Sequence, residues 1–171
     1  MHCMTERVAR FSCLRCGKCC GGLMAEDKGI LRGLTLLPEE APLFPPDMVR
    51  PAMGDGRRPH NEEFRVAAFQ LEADVCPHLS EGLCGIYVDR PASCRQFPFS
   101  LEPGRDGPIV GLDMNCPAVP ALLSGEGRVE IDELGSAEAL YRLKVEVAEN
   151  PQRSWFYDLR NRKWVRADSL V

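Results

Sequence analysis

Residues 13–20 read Cys13-Leu14-Arg15-Cys16-Gly17-Lys18-Cys19-Cys20. Four thiols within eight residues repel one another once ionised, so the run calls for a bound positive charge. A C-x-x-C turn sets two sulfurs on one side of a tight loop, as tetrahedral zinc and iron–sulfur sites require. Cys13, Cys16 and Cys19 extend that spacing to three. In ferredoxin-type clusters such a run holds three irons and a remote cysteine holds the fourth. The remote candidates are Cys76, Cys84, Cys94 and Cys116. A fold organised by distant segments meeting around a metal is therefore expected.

Cys19 and Cys20 need a separate reading. Adjacent side chains diverge, and both on one small ion would close a strained ring. The pair is easier to place on two metal atoms, which favours a polynuclear site or two neighbouring sites. One of the pair acting as a free or redox thiol is the alternative. Gly17 and Gly21 allow a sharp turn, and Arg15, Lys18, Arg90 and Arg95 offset the charge of several thiolates. Eight thiolates also suffice for two Cys₄ zinc sites, and sulfur softness does not separate zinc from iron. The triple spacing and the adjacent pair favour an iron–sulfur cluster, a [4Fe–4S] centre first, with zinc as the alternative. His78, two residues after Cys76, is either a ligand or second donor, or a solvent-facing or capping residue. His60 falls in an exposed stretch, and Cys3 is spare.

Composition bounds the rest. The chain has 171 residues, 44% hydrophobic and 27% charged, which suits one domain or a domain with an appendage. The formal net charge of −4 leaves no basic excess to hold nucleic acid. No apolar run is long enough for a membrane span, and the first residues lack a secretory apolar region. Nine cysteines invite a secreted disulfide scaffold. The missing secretory signal, the larger size and the tight C-x-x-C-x-x-C-C spacing with its overlapping pairs favour metal, and the cytoplasm is the expected location.

The expected fold class is α+β: a small, loop-rich domain around a multi-cysteine centre, with a C-terminal helix and short hairpin. Residues 1–118 would form the metal-binding domain, and 119–171 a helix plus hairpin packed on it. Residues 29–37 suggest a short strand, and Pro38-Glu39-Glu40 a first helical turn. The Pro/Gly-rich stretch 42–61 suggests an irregular, exposed insertion. Residues 64–71 suggest a strand with Phe64, Val66, Ala68 and Gln70 on one face, paired with another near 108–112. Residues 74–100 are expected as ligand-bearing loop. Ser136 is a candidate N-cap for a helix over 136–149, with Leu140, Leu143 and Val147 on one face. Residues 154–166 suggest two strands about Arg160-Asn161-Arg162, with Trp155, Tyr157 and Trp164 as an aromatic patch packed on the body.

Four segments carry a family resemblance: FSCLRCGKCC, LTLLPEE, CPHLSEGLCGIYVDRPASCRQFPF and MNCP. Over residues 11–117 the chain resembles the YkgJ-like cysteine-cluster family, also called the CxxCxxCC family. The block Cys84-Gly-Ile86-Tyr87-Val-Asp-Arg90-Pro91-Ala-Ser-Cys94-Arg95-Gln-Phe97-Pro98 matches the family pattern at each named position. The resemblance implies that Cys13, Cys16, Cys19, Cys20, Cys76, Cys84, Cys94 and Cys116 hold zinc, iron or an iron–sulfur centre. It implies no settled reaction. Arg90 and Arg95 would brace the ligand loop or donate to cluster sulfurs, and Tyr87 would pack its ring. The flagellin lysine N-methylase group looks like a larger relative of similar cysteine content, and this chain is short for that role. This chain, however, has no G-x-G-x-x-G loop and no C-x-x-x-C-x-x-C spacing. No P-loop or Ser-His-Asp set is recognisable either. A metal or iron–sulfur protein used in electron transfer, sensing or metal handling is expected. The alternatives are a zinc-stabilised interaction module, with a protein partner on 42–61 or the C-terminal tail, and a group-transfer enzyme component.

Overall fold

A computed structural model describes residues 8–125, 128–130 and 134–170; Cys3 lies outside them. In chain order the strands and helices are β1 (Val8–Arg10), β2 (Ala25–Asp27), β3 (Ile30–Arg32), β4 (Leu34–Leu36), β5 (Val49–Asp55), β6 (Arg65–Leu71), β7 (Leu79–Ser80) and β8 (Leu83–Cys84). There follow α1 (Ala92–Gln96), β9 (Phe99–Gly104), β10 (Gly107–Leu112), α2 (Val119–Leu123), β11 (Arg128–Glu130), α3 (Leu134–Glu149), β12 (Ser154–Asp158) and β13 (Lys163–Arg166). The protein is thus a small mixed fold of helix and strand, with few helices and several small sheets.

The largest sheet has five antiparallel strands in the order β13-β12-β5-β6-β4. Its middle strand, β5, occupies the stretch expected to be an irregular insertion. The composition that suggested a loop has specific uses there. Pro51 sits beside a register shift, in a part of β5 beyond the ladder to β12, which pairs with 53–55. A side chain at Gly54 would run into the Phe64 ring. Strand β6 forms as expected, but Val66 is exposed while Ala68 and Gln70 are buried. Its partners are β5 and β4, not 108–112. Strand β10 instead closes a hairpin on β9 across Arg105-Asp106, ahead of Gly107 with φ 126°.

The 29–37 stretch is two strands, not one. Gly33 divides them, because any side chain there would meet the Leu71 carbonyl. Strand β3 pairs with β2, and β4 joins the main sheet. No α-helix begins at Pro38; a turn leads into a single 3₁₀ turn, Ala41–Leu43. The C-terminal helix starts at Leu134, so Ser136 lies inside its first turn rather than capping it.

Strand alternation gives the sheet two apolar faces. Leu71 joins Leu36, Phe44, Cys20 and Cys76 in one core, with Phe69 and Val49 against it. Ala68 joins Ala52 and Met53 in a second, covered by Leu143 and Val147 of α3 and by Phe156. Gln70 is buried yet fully bonded. Its Nε2 donates to the carbonyls of Pro51 (2.8 Å) and Tyr157 (3.0 Å), and its Oε1 accepts from Gly33 N–H (2.8 Å). The β12–β13 hairpin forms as read from the sequence. Trp164 meets Tyr157 edge-on at 5.4 Å and Phe64 at 5.0 Å, while Trp155 donates its Nε1–H to the Gly56 carbonyl.

Candidate metal centre

The cysteine run folds as a loop ending in a 3₁₀ turn, Lys18–Cys20, closed by Cys20 N–H donating to the Gly17 carbonyl at 3.0 Å. Gly17 has φ 72°, a conformation that favours glycine. It also seats the loop against the β7–β8 hairpin, since a Cβ at Gly17 would lie 2.6 Å from the Gly82 carbonyl oxygen. That hairpin turns through Glu81 and Gly82, both with positive φ, the backbone of a tight two-residue β-turn. It carries Cys84 on β8, and Cys76 precedes it. Two backbone bonds fasten this segment to the loop: Cys76 N–H to the Cys20 carbonyl (2.7 Å) and Leu23 N–H to the Asp74 carbonyl (3.0 Å).

Cys94 arrives on α1. The first N–H of that helix, from Ala92, donates at 2.7 Å to Glu40 Oε1, and Glu40 Oε2 accepts from Leu37 N–H at 2.8 Å. Glu40 is a buried carboxylate that fixes α1 against the 34–43 segment, assisted by Ser93 Oγ donating to the Thr35 carbonyl (2.7 Å). Sequence reasoning placed Glu40 in a local helical turn; nothing local marks its bond to a helix fifty-two positions on. Cys116 sits in a turn just ahead of α2, with its N–H donating to the Asp113 carbonyl at 3.3 Å.

All eight of these cysteines line one cavity of about 500 Å³, together with Arg90 and Arg95. All eight are free thiols. Cys13 and Cys16 are exposed, Cys19, Cys84 and Cys94 half-buried, and Cys20, Cys76 and Cys116 buried. Among the described residues, no three His, Cys, Asp or Glu side chains are gathered tightly enough to close on one ion; the sulfurs ring a space instead.

Burial and crowding set the chemistry of the ring. Cys20 is pushed up to about 12, first by burial and then by the neighbouring charges of Cys19, Cys76 and Cys84. Cys94 is raised by burial and then by the charges of Cys19, Cys76, Cys20 and Cys84. Burial also raises Cys19 and Cys76, the latter opposed by backbone N–H groups of His78 and Leu79. These thiols keep their protons at neutral pH unless a cation enters, and binding one would release them. The soft donor set therefore fits zinc or iron.

The two arginines act on protein as well as lining the cavity. Two guanidinium groups lie over the Tyr87 ring, Arg15 at 4.2 Å and Arg90 at 3.9 Å from its centroid. Arg90 also donates Nη1–H to the Tyr87 carbonyl at 2.8 Å. The stack ties the cysteine loop to the segment between Cys84 and Cys94. Arg95 Nε–H donates to Ser136 Oγ at 2.9 Å, joining α1 to α3. His78 Nε2 lies 2.7 Å from the Leu43 carbonyl, and its ring is 5.1 Å from that of Phe44, so that nitrogen is engaged in bracing the core.

A family model named CxxCxxCC, described as "Putative zinc- or iron-chelating domain", matches residues 12–117. Comparison with curated proteins and with solved structures returned no match. Among the described residues no helix is long and apolar enough to cross a membrane.

Proposed function

Because the chain belongs to the CxxCxxCC family of zinc- or iron-chelating domains, we propose that its cysteines hold an iron–sulfur centre used in redox chemistry or metal handling. One observation carries this reading: eight free thiols open onto a single cavity. One tetrahedral zinc uses four ligands and closes tightly around them. Eight sulfurs round a space of this size, with Cys19 and Cys20 adjacent, suit several metal atoms.

An iron–sulfur cluster supplies one-electron exchange when bound. The chain's own residues supply the rest. Four segments supply the sulfurs: the loop at 13–20, the β7–β8 hairpin with the stretch leading into it, α1, and the turn ahead of α2. Arg90 and Arg95 line the same cavity, so its wall carries positive charge that would favour gathered thiolates. Leu36, Phe44 and Leu71 exclude water from the inner side, where Cys20 and Cys76 belong to their core. A dry wall beside charge strengthens each N–H contact to sulfur. So many unpaired thiols suit a reducing compartment, and the reading places the protein in the cytoplasm.

The test is anaerobic purification followed by metal analysis, acid-labile sulfide analysis and visible absorption. Iron with matching sulfide and a brown colour is the expected result. Zinc without sulfide would overturn the cluster in favour of a zinc-stabilised module.

A further inference from the structure

Arg15, Lys18, Arg90 and Arg95 line the cysteine cavity, and no aspartate or glutamate does. The chain as a whole carries 25 acidic and 21 basic residues, so this wall of one sign runs against its composition. Glu81 and Asp89 are exposed on the adjoining segments, but neither lines the cavity. The four cations are not equally committed. Arg90 and Arg95 are half-buried and bonded to the Tyr87 carbonyl and to Ser136. Arg15 and Lys18 are exposed, and among the described residues neither meets a carboxylate. By contrast, Arg160, Arg162 and Arg166 are paired with Glu26, Glu72 and Asp168.

Aliphatic surface adjoins these charges. Leu14 and Leu83 line the same cavity and are 61% and 58% exposed, and Val88, next to Tyr87, is 86% exposed. Leu14 immediately precedes Arg15, and the seat of Gly17 on the Gly82 carbonyl keeps the hairpin bearing Leu83 beside the loop bearing Lys18.

We propose that this face docks a small electron-carrier protein whose own surface is acidic around its redox centre. The proposal rests on the reading that the cavity seats a redox centre. Three arguments choose this occupant. Surface cations without carboxylate partners steer a body of opposite charge and favour fast, transient encounter. Exposed aliphatic side chains among basic ones match the apolar centre and charged rim of a small protein interface. Single-stranded nucleic acid, the other large anion, takes open aromatic platforms for its bases, and the Tyr87 ring is already stacked on guanidinium groups. Docking here also brings the carrier to the part of the cavity wall where Cys13 and Cys16 are exposed.

The test titrates the full chain, purified anaerobically with its metal, with two acidic carriers, a plant-type ferredoxin and a flavodoxin. At least one should bind, and its Kd should rise at least about tenfold between about 20 and about 200 mM salt. Lys18→Glu should raise Kd at least about tenfold at the lower salt. Lys163→Glu changes net charge equally, on β13, at the sheet edge opposite β4, whose Leu34 lines the cavity; it should bind like wild type. The double variant L14S/L83S should bind more weakly at both salt concentrations. Zero-length carbodiimide cross-linking joins a carrier carboxylate to a lysine and needs no variant to fold. Of the chain's four lysines, Lys18 should be linked in preference to Lys28, Lys144 and Lys163. Binding of neither carrier, binding insensitive to salt, equal losses in the Lys18 and Lys163 variants, wild-type affinity in L14S/L83S, or links confined to the other lysines would overturn the proposal. So would tighter binding of a single-stranded oligonucleotide than of either carrier. Missing iron and sulfide would overturn the iron–sulfur reading alone, because affinity and cross-links are still read on zinc-loaded protein. Absent binding in protein that carries iron and sulfide would overturn the docking alone.

Discussion

Replacing Glu40 with alanine should cost stability and metal together. Its two oxygens accept the N–H groups of Leu37 and Ala92 at 2.8 and 2.7 Å, and the Ala92 bond is buried. A hydrogen bond to a charged group contributes about 1.5–3 kcal/mol, and a buried donor left unpaired costs a similar amount. Part of the loss is returned, because the variant no longer buries a carboxylate. A net cost of about 3 kcal/mol follows from two such bonds, against a total stability of about 5–15 kcal/mol. With a urea m-value near 2 kcal/mol/M, the unfolding midpoint should fall by about 1.5 M. Glu40→Gln keeps one acceptor and turns an N–H₂ toward the other donor, so it should lose about half as much. Because Cys94 rides on the helix that Glu40 holds, purified E40A should also carry less metal than wild type. Urea titration followed by tryptophan fluorescence, with elemental analysis of the same samples, measures both. An E40A midpoint within about 0.2 M of wild type would refute the reasoning, because α1 would then be held without the carboxylate.

Asp158 and Tyr87 offer sharper controls. Burial pushes the Asp158 carboxyl up, but bonds from the Asn161 side chain and from the N–H groups of Leu31, Arg160 and Asn161 outweigh it and hold the group below its usual range. A depressed carboxyl stabilises the fold above the unfolded value near pH 3.9 and stops doing so as pH falls through the native one. The stability gap between wild type and Asp158→Asn should therefore shrink on acidification from about pH 5 to about pH 2. A gap that stays constant across paired urea titrations would contradict this. Tyr87→Ala removes both guanidinium–ring contacts and should cost about 1–2 kcal/mol, loosening the cysteine loop to limited proteolysis. Tyr87→Phe, which keeps the ring, should behave like wild type; equal losses in the two variants would show that the stack is not what matters.

What could be read from the chain alone was what depends on near neighbours. The C-x-x-C spacing marked Cys13, Cys16 and Cys19 as candidate ligands, because ligand spacing is a property of a few consecutive residues. Period-2 and period-3.6 patterns located β6, α3 and the β12–β13 hairpin, since each pattern is a geometric consequence of its own backbone. Pairing and depth were not available at that range. Val49–Asp55 looked like loop because proline and glycine usually are; only packing against Phe64, and a ladder that stops short of Pro51, makes it the middle strand. Glu40 looked like part of a local turn until Ala92 came within reach, and the Tyr87 stack needed Arg15 and Arg90, far apart in the chain, over one ring. The same holds for the sulfurs. Their identity was written in eight positions, but their arrival at one cavity, and the ranking of which are buried and which exposed, came from contacts between segments as distant in the chain as those of Cys13 and Cys116. Short-range order follows from backbone periodicity, whereas a site assembled from distant segments follows from which surfaces bury one another, and only the folded chain decides that.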